Sequence, residues 1–185
     1  SAGVVGATCH GVSEFFNTYD RVDIYTGTPG KSFGGAMGGF TTGKKEIIDL
    51  LRQRSRPYLF SNSLAPSLVG AGIEMFRMLK ESNAIHDKLV ENVNYFRDKM
   101  IAAGFDIKPT QSAICAVMLY DAKLSQDFAA RLQDEGIYVT GFYYRVVPKG
   151  QARIRVQVSA GHEREHLDKC IAAFTKIGKE MGVLK

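Results

Sequence analysis

No stretch of this chain is apolar for long enough to cross a bilayer as a helix, so hydropathy gives no reason to expect a membrane partner. Cysteine is scarce. Cys9, Cys115 and Cys170 are far apart and odd in number, which argues against a disulfide framework and makes a reducing, cytoplasmic compartment the simplest reading. Cys9-His10 has no second Cys/His pair at ligand spacing, so an ordinary turn is favoured over a metal site. Charge of one sign is never concentrated. The 24 Lys and Arg residues exceed the 19 Asp and Glu, but they are dispersed among the acids. Without a basic tract or a basic stripe interleaved with aromatics, no nucleic-acid partner is expected, and the excess of +5 suits small anionic molecules at least as well. Internal repeats and low-complexity segments are also missing. The opening SAGVVGATCHG shows neither a signal-peptide pattern nor an initiator Met, and reads as a chain entered in mid-domain.

What is present is the composition of a soluble globular protein, and 185 residues suffice for one domain or two small ones. In the first half, Val12–Tyr19 reads as a short helix, Val22–Thr26 as a short buried strand, and Ala36–Thr42 as a strand interrupted by glycine. Lys44–Arg54 reads as an amphipathic helix, and Pro57 marks a boundary. YLFSNSLAP then runs extended into a helix from Pro66 to about Lys80. In the second half, Ile85, Leu89, Val93, Phe96 and Met100 recur at helical spacing and stop at Gly104. Ile114–Leu119 is a buried strand. Leu124, Phe128 and Leu132 mark a helix closed by Gly136, and Ile137–Thr140 reads as a strand. Arg153–Ser159 alternates strictly, with Ile154, Val156 and Val158 on one face and Arg153, Arg155 and Gln157 on the other. Leu167, Cys170, Ile171, Phe174 and Ile177 define a last amphipathic helix. Alternating strands and helices give an α/β or α+β class, with a boundary near Ser82-Asn83 dividing residues 1–82 from 83–185.

The chemistry centres on TGTPGKSFGG, residues 26–35. A lysine among glycines and hydroxyls suggests a phosphate-binding loop, but the P-loop register fails. That motif needs a glycine five positions before Gly30, where Tyr25 stands, and a regular helix directly after the lysine. The alternative is a lysine whose ε-amine forms a Schiff base with an aldehyde cofactor. Pyridoxal phosphate suits Thr28, three residues earlier, as a phosphate partner, and the glycines would allow close backbone approach. On the loop alone, that reading and a solvated lysine in a glycine-rich turn stand about level.

Two further stretches shift the balance: RQRSRPYLFSNSLAP (52–66) and PKGQARIRVQVSAGH (148–162). Together with TGTPGKSFGGAMGG and EGIYVTGF (135–142), they make the chain resemble the α-oxoamine synthases, fold-type I enzymes that use pyridoxal 5'-phosphate. The resemblance runs from Ser1 to Lys185 and covers about the C-terminal half of such an enzyme. It implies the end of the large cofactor-binding domain over 1–82 and the small C-terminal α+β domain over 83–185. It also implies that Lys31 carries the cofactor covalently and is catalytic, with Thr28 on the cofactor phosphate. Ser61 and Asn62 would reach the cofactor of a neighbouring subunit in a homodimer, and Arg155 would hold the substrate carboxylate. From the residues themselves, Ser61 and Asn62 read better as caps of the following helix. Arg153 and Arg155 could be a solvated strand face, although paired arginines also suit a carboxylate.

The reaction implied is condensation of glycine with an acyl-CoA. Acetyl-CoA is favoured by RQRSRPYLFSNSLAP and PKGQARIR, against relatives that make 8-amino-7-oxononanoate, 5-aminolevulinate or sphingoid bases. A non-catalytic fragment is the reading of a different class. The chain departs from the family at Pro29, where a leucine-like residue is usual, at Arg145 in place of a proline, and at Cys9-His10 in place of glycine-arginine. The family's Asp-x-x-His segment and phosphate loop would lie before Ser1, so these 185 residues alone are expected to be inactive.

Overall fold

The computed structural model describes residues 4–33 and 37–185, and Ala36, the first residue of the expected second strand, lies outside them. The architecture is mixed α/β and divides into two compact units, Ser1–Ala84 and Ile85–Lys185.

The first unit contains α1 (Val12–Phe15), a 3-10 turn (Tyr19–Arg21), β1 (Ile24–Gly27), β2 (Phe40–Gly43), α2 (Lys45–Arg54), α3 (Arg56–Leu59) and α4 (Pro66–Glu81). β1 and β2 form a two-stranded antiparallel ribbon in which Gly27 faces Phe40. Several expectations change here. The first helix stops after four residues, because the chain turns at Asn17 with a φ of 50°. β1 starts at Ile24 rather than Val22 and is not buried: Ile24 and Thr26 face solvent. Pro57 does not end structure but sits in the first turn of α3, where a missing N–H costs nothing, so Tyr58 and Leu59 are helical rather than extended.

The second unit contains α5 (Ala84–Ala102), β3 (Ile107–Lys108), β4 (Ile114–Tyr120), α6 (Ala122–Asp134), β5 (Thr140–Phe142), β6 (Ala152–Gln157) and α7 (Arg164–Glu180). Its sheet is antiparallel throughout, in the order β3-β4-β6-β5. Alternation along β4 and β6 sends Cys115, Val117, Ile154 and Val156 into one core with Phe96 and Met100 of α5, Phe128 and Leu132 of α6, and Phe174 and Ile177 of α7. The expected strand Ile137–Thr140 is displaced to Thr140–Phe142, and Ile137 and Val139 pack on the core without ladder bonds. Gly141 fixes the displacement: a Cβ there would stand 2.5 Å from the Ser125 carbonyl oxygen, so only glycine lets β5 lie this close to α6.

Candidate active site

Thr28 leaves the end of β1, Pro29 and Gly30 form a turn, and Lys31 follows on the exposed surface of that turn. Among the described residues, no hydrogen bond or ion pair engages the Lys31 amine. Three aromatic rings fix the loop from both ends. Phe76 of α4 meets Phe33, two residues after Lys31, at 5.9 Å between ring centroids, and meets Phe40 of β2 at 5.6 Å, edge to face. The Phe40 ring also lies against Gly27, where a Cβ would come within 2.3 Å of it. Among the described residues Lys31 is thus an unengaged side chain on an anchored turn.

Ser61 and Asn62 lie in an exposed segment before α4. Their reading as caps fails. The residue at the cap position is Ala65, no side chain caps the helix, and Pro66 supplies the first helical position without an N–H to satisfy. Leu64 of the same segment lies against Gly38, just before β2, whose φ of 106° suits glycine.

The donor set fits pyridoxal phosphate. An unengaged amine can condense with an aldehyde, and the Thr28 hydroxyl three residues away is of a type that can donate to a phosphate. Competing readings find little support. The Cys9-His10 turn is built on Glu14, which accepts from the Thr8 N–H and hydroxyl at 2.8 Å each and from the His10 N–H at 3.0 Å. Partial burial would raise the Glu14 carboxyl, but these hydrogen bonds outweigh it and hold the group below its ordinary range. Among the described residues no cluster of His, Cys, Asp and Glu could hold a metal ion. Burial pushes the Cys170 thiol up to about 12 and also raises Cys115, so neither is a nucleophile at neutral pH.

In the second unit, Arg155 lies on the sheet face turned away from the core. Its register partners are Ala116 on β4 and Thr140 on β5, both small, so the guanidinium stands in an open row. Arg153 is half-buried between Met118 and Phe142 in the neighbouring row. The Arg155 guanidinium carbon lies 5.8 Å from the Phe142 ring centroid, a contact that sequence reading missed because it depends on how β5 pairs with β6.

The sequence profile of the Aminotransferase class I and II family matches residues 1–174. The chain is 52% identical over 184 residues to 2-amino-3-ketobutyrate coenzyme A ligase of Escherichia coli, covering 100% of this chain and 46% of that protein. It is 44% identical over 182 residues to 8-amino-7-oxononanoate synthase of Petrotoga mobilis, covering 98% of this chain and 46% of that one. Among solved structures, a serine palmitoyltransferase of S. paucimobilis with bound PLP-myriocin aldimine matches with a TM-score of 0.91 at 29% identity, over 100% of this chain and 46% of that chain. The chain spans about half the length of the curated relatives it matches.

Proposed function

The chain belongs to the aminotransferase class I and II family, and on that premise we propose that the complete protein is a glycine C-acetyltransferase dependent on pyridoxal 5'-phosphate. In the net reaction a C–C bond forms between the glycine Cα and the acetyl carbon of acetyl-CoA, the thioester C–S bond breaks, and 2-amino-3-oxobutyrate and CoA leave. The observation that carries the reading is the unengaged Lys31 amine on its anchored turn, three residues after Thr28. The 52% identity to a protein named for this ketobutyrate chemistry supports it further.

When bound, pyridoxal phosphate supplies an aldehyde for covalent attachment and a conjugated electron sink for charge developing at the substrate Cα. The rest falls to side chains. Lys31 Nζ would hold the cofactor covalently and would serve as the base that takes the proton from the glycine Cα. The Thr28 hydroxyl donates to the cofactor phosphate. The Arg155 guanidinium grips both oxygens of the glycine carboxylate in its planar fork, which fixes the direction of the Cα–H bond. Ser61 and Asn62, exposed and not used as caps, donate to the phosphate of a neighbouring subunit's cofactor, which makes the enzyme a homodimer with composite sites. In this scheme 1–82 is the end of the large domain and 83–185 the small domain.

No helix among the described residues is long and apolar enough to cross a membrane. A cytoplasmic location and a place in threonine breakdown belong to the same proposal and follow from the proposed reaction. An 8-amino-7-oxononanoate type of enzyme is the second reading, favoured by the 44% relative. The full-length protein with pyridoxal phosphate and glycine should release CoA from acetyl-CoA. Borohydride reduction followed by peptide mapping should place the pyridoxyl group on Lys31. Label on Lys44 or Lys45 would overturn the site, and faster turnover of pimeloyl-CoA with alanine would move the enzyme to the second reading.

A further inference from the structure

We infer that Phe142 is a positioning residue for substrate recognition, holding the Arg155 guanidinium at the angle from which it grips the glycine carboxylate. The inference rests on the assignment of Arg155 to that carboxylate and adds the group that orients it. Among the described residues the Arg155 side chain has no hydrogen bond and no ion pair, its backbone being paired in the ladders to β4 and β5. The guanidinium meets the Phe142 ring, whose centroid is 5.8 Å from its carbon. An arginine paired with an acid would be neutralised and its fork occupied. Stacking on a ring restrains the plane and leaves the N–H groups free for a ligand.

The sheet register explains why Phe142 serves. Thr140 is opposite Arg155 and Phe142 is opposite Arg153, so the ring reaches Arg155 along the diagonal, which is within reach of long and aromatic side chains. Directly beside Arg155 on both sides stand small residues, Ala116 and Thr140, which leave room for a carboxylate against the fork. Gly141 seats β5 on α6, and alternation then turns Phe142 to the same face as Arg155. Phe142 is only half-buried and lies outside the core cluster, so its role is not that of a core ring.

The test uses the full-length holoenzyme and four variants, Phe142→Leu, Phe142→Tyr, Arg155→Lys and Phe128→Leu. Glycine binding is measured by calorimetry beside steady-state kinetics. Removing an exposed ring–cation contact should raise the glycine Kd and KM about two- to fivefold. The KM for acetyl-CoA and the melting temperature should stay unchanged. Phe142→Tyr keeps a ring face and should restore glycine binding to within about twofold of the parent. Phe128→Leu, a core change, should lower the melting temperature without this selective effect. If Arg155→Lys weakens glycine binding while Phe142→Leu leaves it intact, the positioning role is overturned and the carboxylate assignment stands. If Arg155→Lys leaves glycine binding intact, the carboxylate assignment itself fails. A Phe142→Leu defect spread equally over glycine, acetyl-CoA and melting would reduce Phe142 to a structural residue and also overturn the inference.

Discussion

Each unit of this protein holds a trio of phenylalanines, joined through Phe76 in the first and pairwise throughout in the second, and the two trios stand in opposite surroundings. In the second unit Phe105, Phe128 and Phe174 meet at 5.6–6.5 Å and are all buried. In the first unit Phe76 meets Phe33 at 5.9 Å and Phe40 at 5.6 Å, yet Phe76 is 40% exposed and neither other ring is fully buried. The helices repeat the contrast. α7 buries five of its 17 residues, whereas α4, of 16 residues, buries none and exposes Val69, Ile73 and Met78. Apolar periodicity therefore specifies a face, and burial depends on what covers that face. The second unit covers its own. The first uses its aromatic contacts to anchor the turn that carries Lys31.

Function and stability should therefore separate in the first unit and coincide in the second. The largest effect should come from Lys31→Ala in the full-length protein. If Lys31 is both the covalent anchor and the base, as proposed, its removal should cost about 10²–10⁴-fold in turnover and abolish borohydride labelling. Because Lys31 is exposed and unengaged, the midpoint of urea unfolding without cofactor should not move. A large fall in that midpoint would mean that the residue is structural, and the contrast between the units would lose its basis.

Next come the two trios themselves. Phe128→Ala empties a fully buried ring site and should cost about 3–5 kcal/mol. Phe76→Ala in the same 185 residues removes a ring that already faces water in part, and should cost about half as much or less. Urea unfolding of both variants measures the difference. Equal losses would show that the first trio is as much a core as the second.

The second unit was the more legible in sequence, for the same reason. Where a core exists, periodicity reports it: Ile154, Val156 and Val158 alternate as expected and all three are buried. What failed there depended on pairing. The apolar run Ile137–Val139 looks like a strand, but Gly141 seats on α6 and the ladder to β6 starts at Thr140. β3 has two residues, too few to leave a periodic signal. In the first unit the Lys31 turn was legible because its chemistry is local, carried by adjacent glycines, hydroxyls and a proline. The aromatic anchor was not, since Phe76 lies 43 residues beyond Phe33 in the chain. The Phe142–Arg155 contact was hidden in the same way, because strand register is not written in either residue.

A smaller effect tests recognition against chemistry. Arg155→Lys keeps the charge and loses the fork. A charge-assisted hydrogen-bonded contact is worth about 1.5–3 kcal/mol, so glycine affinity should fall by about one to two orders of magnitude. Cofactor loading, followed by its absorbance, should remain normal. Arg153→Lys, in the neighbouring half-buried row, should leave glycine KM nearly unchanged. A larger glycine defect in Arg153→Lys would place recognition in the wrong row.

The smallest effects concern helix starts, and they should run in opposite directions in the two units. α6 begins at Asp121, whose carboxylate accepts the Leu124 N–H at 2.7 Å, and the negative charge also faces the positive end of the helix dipole. Asp121→Ala should therefore cost about 1 kcal/mol. α4 begins at Ala65 with extended backbone (φ −59°, ψ 137°) and no side chain to accept from its first turn. A hydroxyl placed there by Ala65→Ser can reach the second or third helical N–H, so this change should stabilise by about 0.5–1 kcal/mol. Ala65 is exposed, so the added atom meets no packed neighbour. Urea unfolding, with far-UV circular dichroism for helix content, would read both changes. Loss of stability on Ala65→Ser would mean that the start of α4 is held by something other than its own backbone. The exposed segment Ser61–Ala65 would then have to be seen as a structural strap rather than a free arm for a neighbouring cofactor.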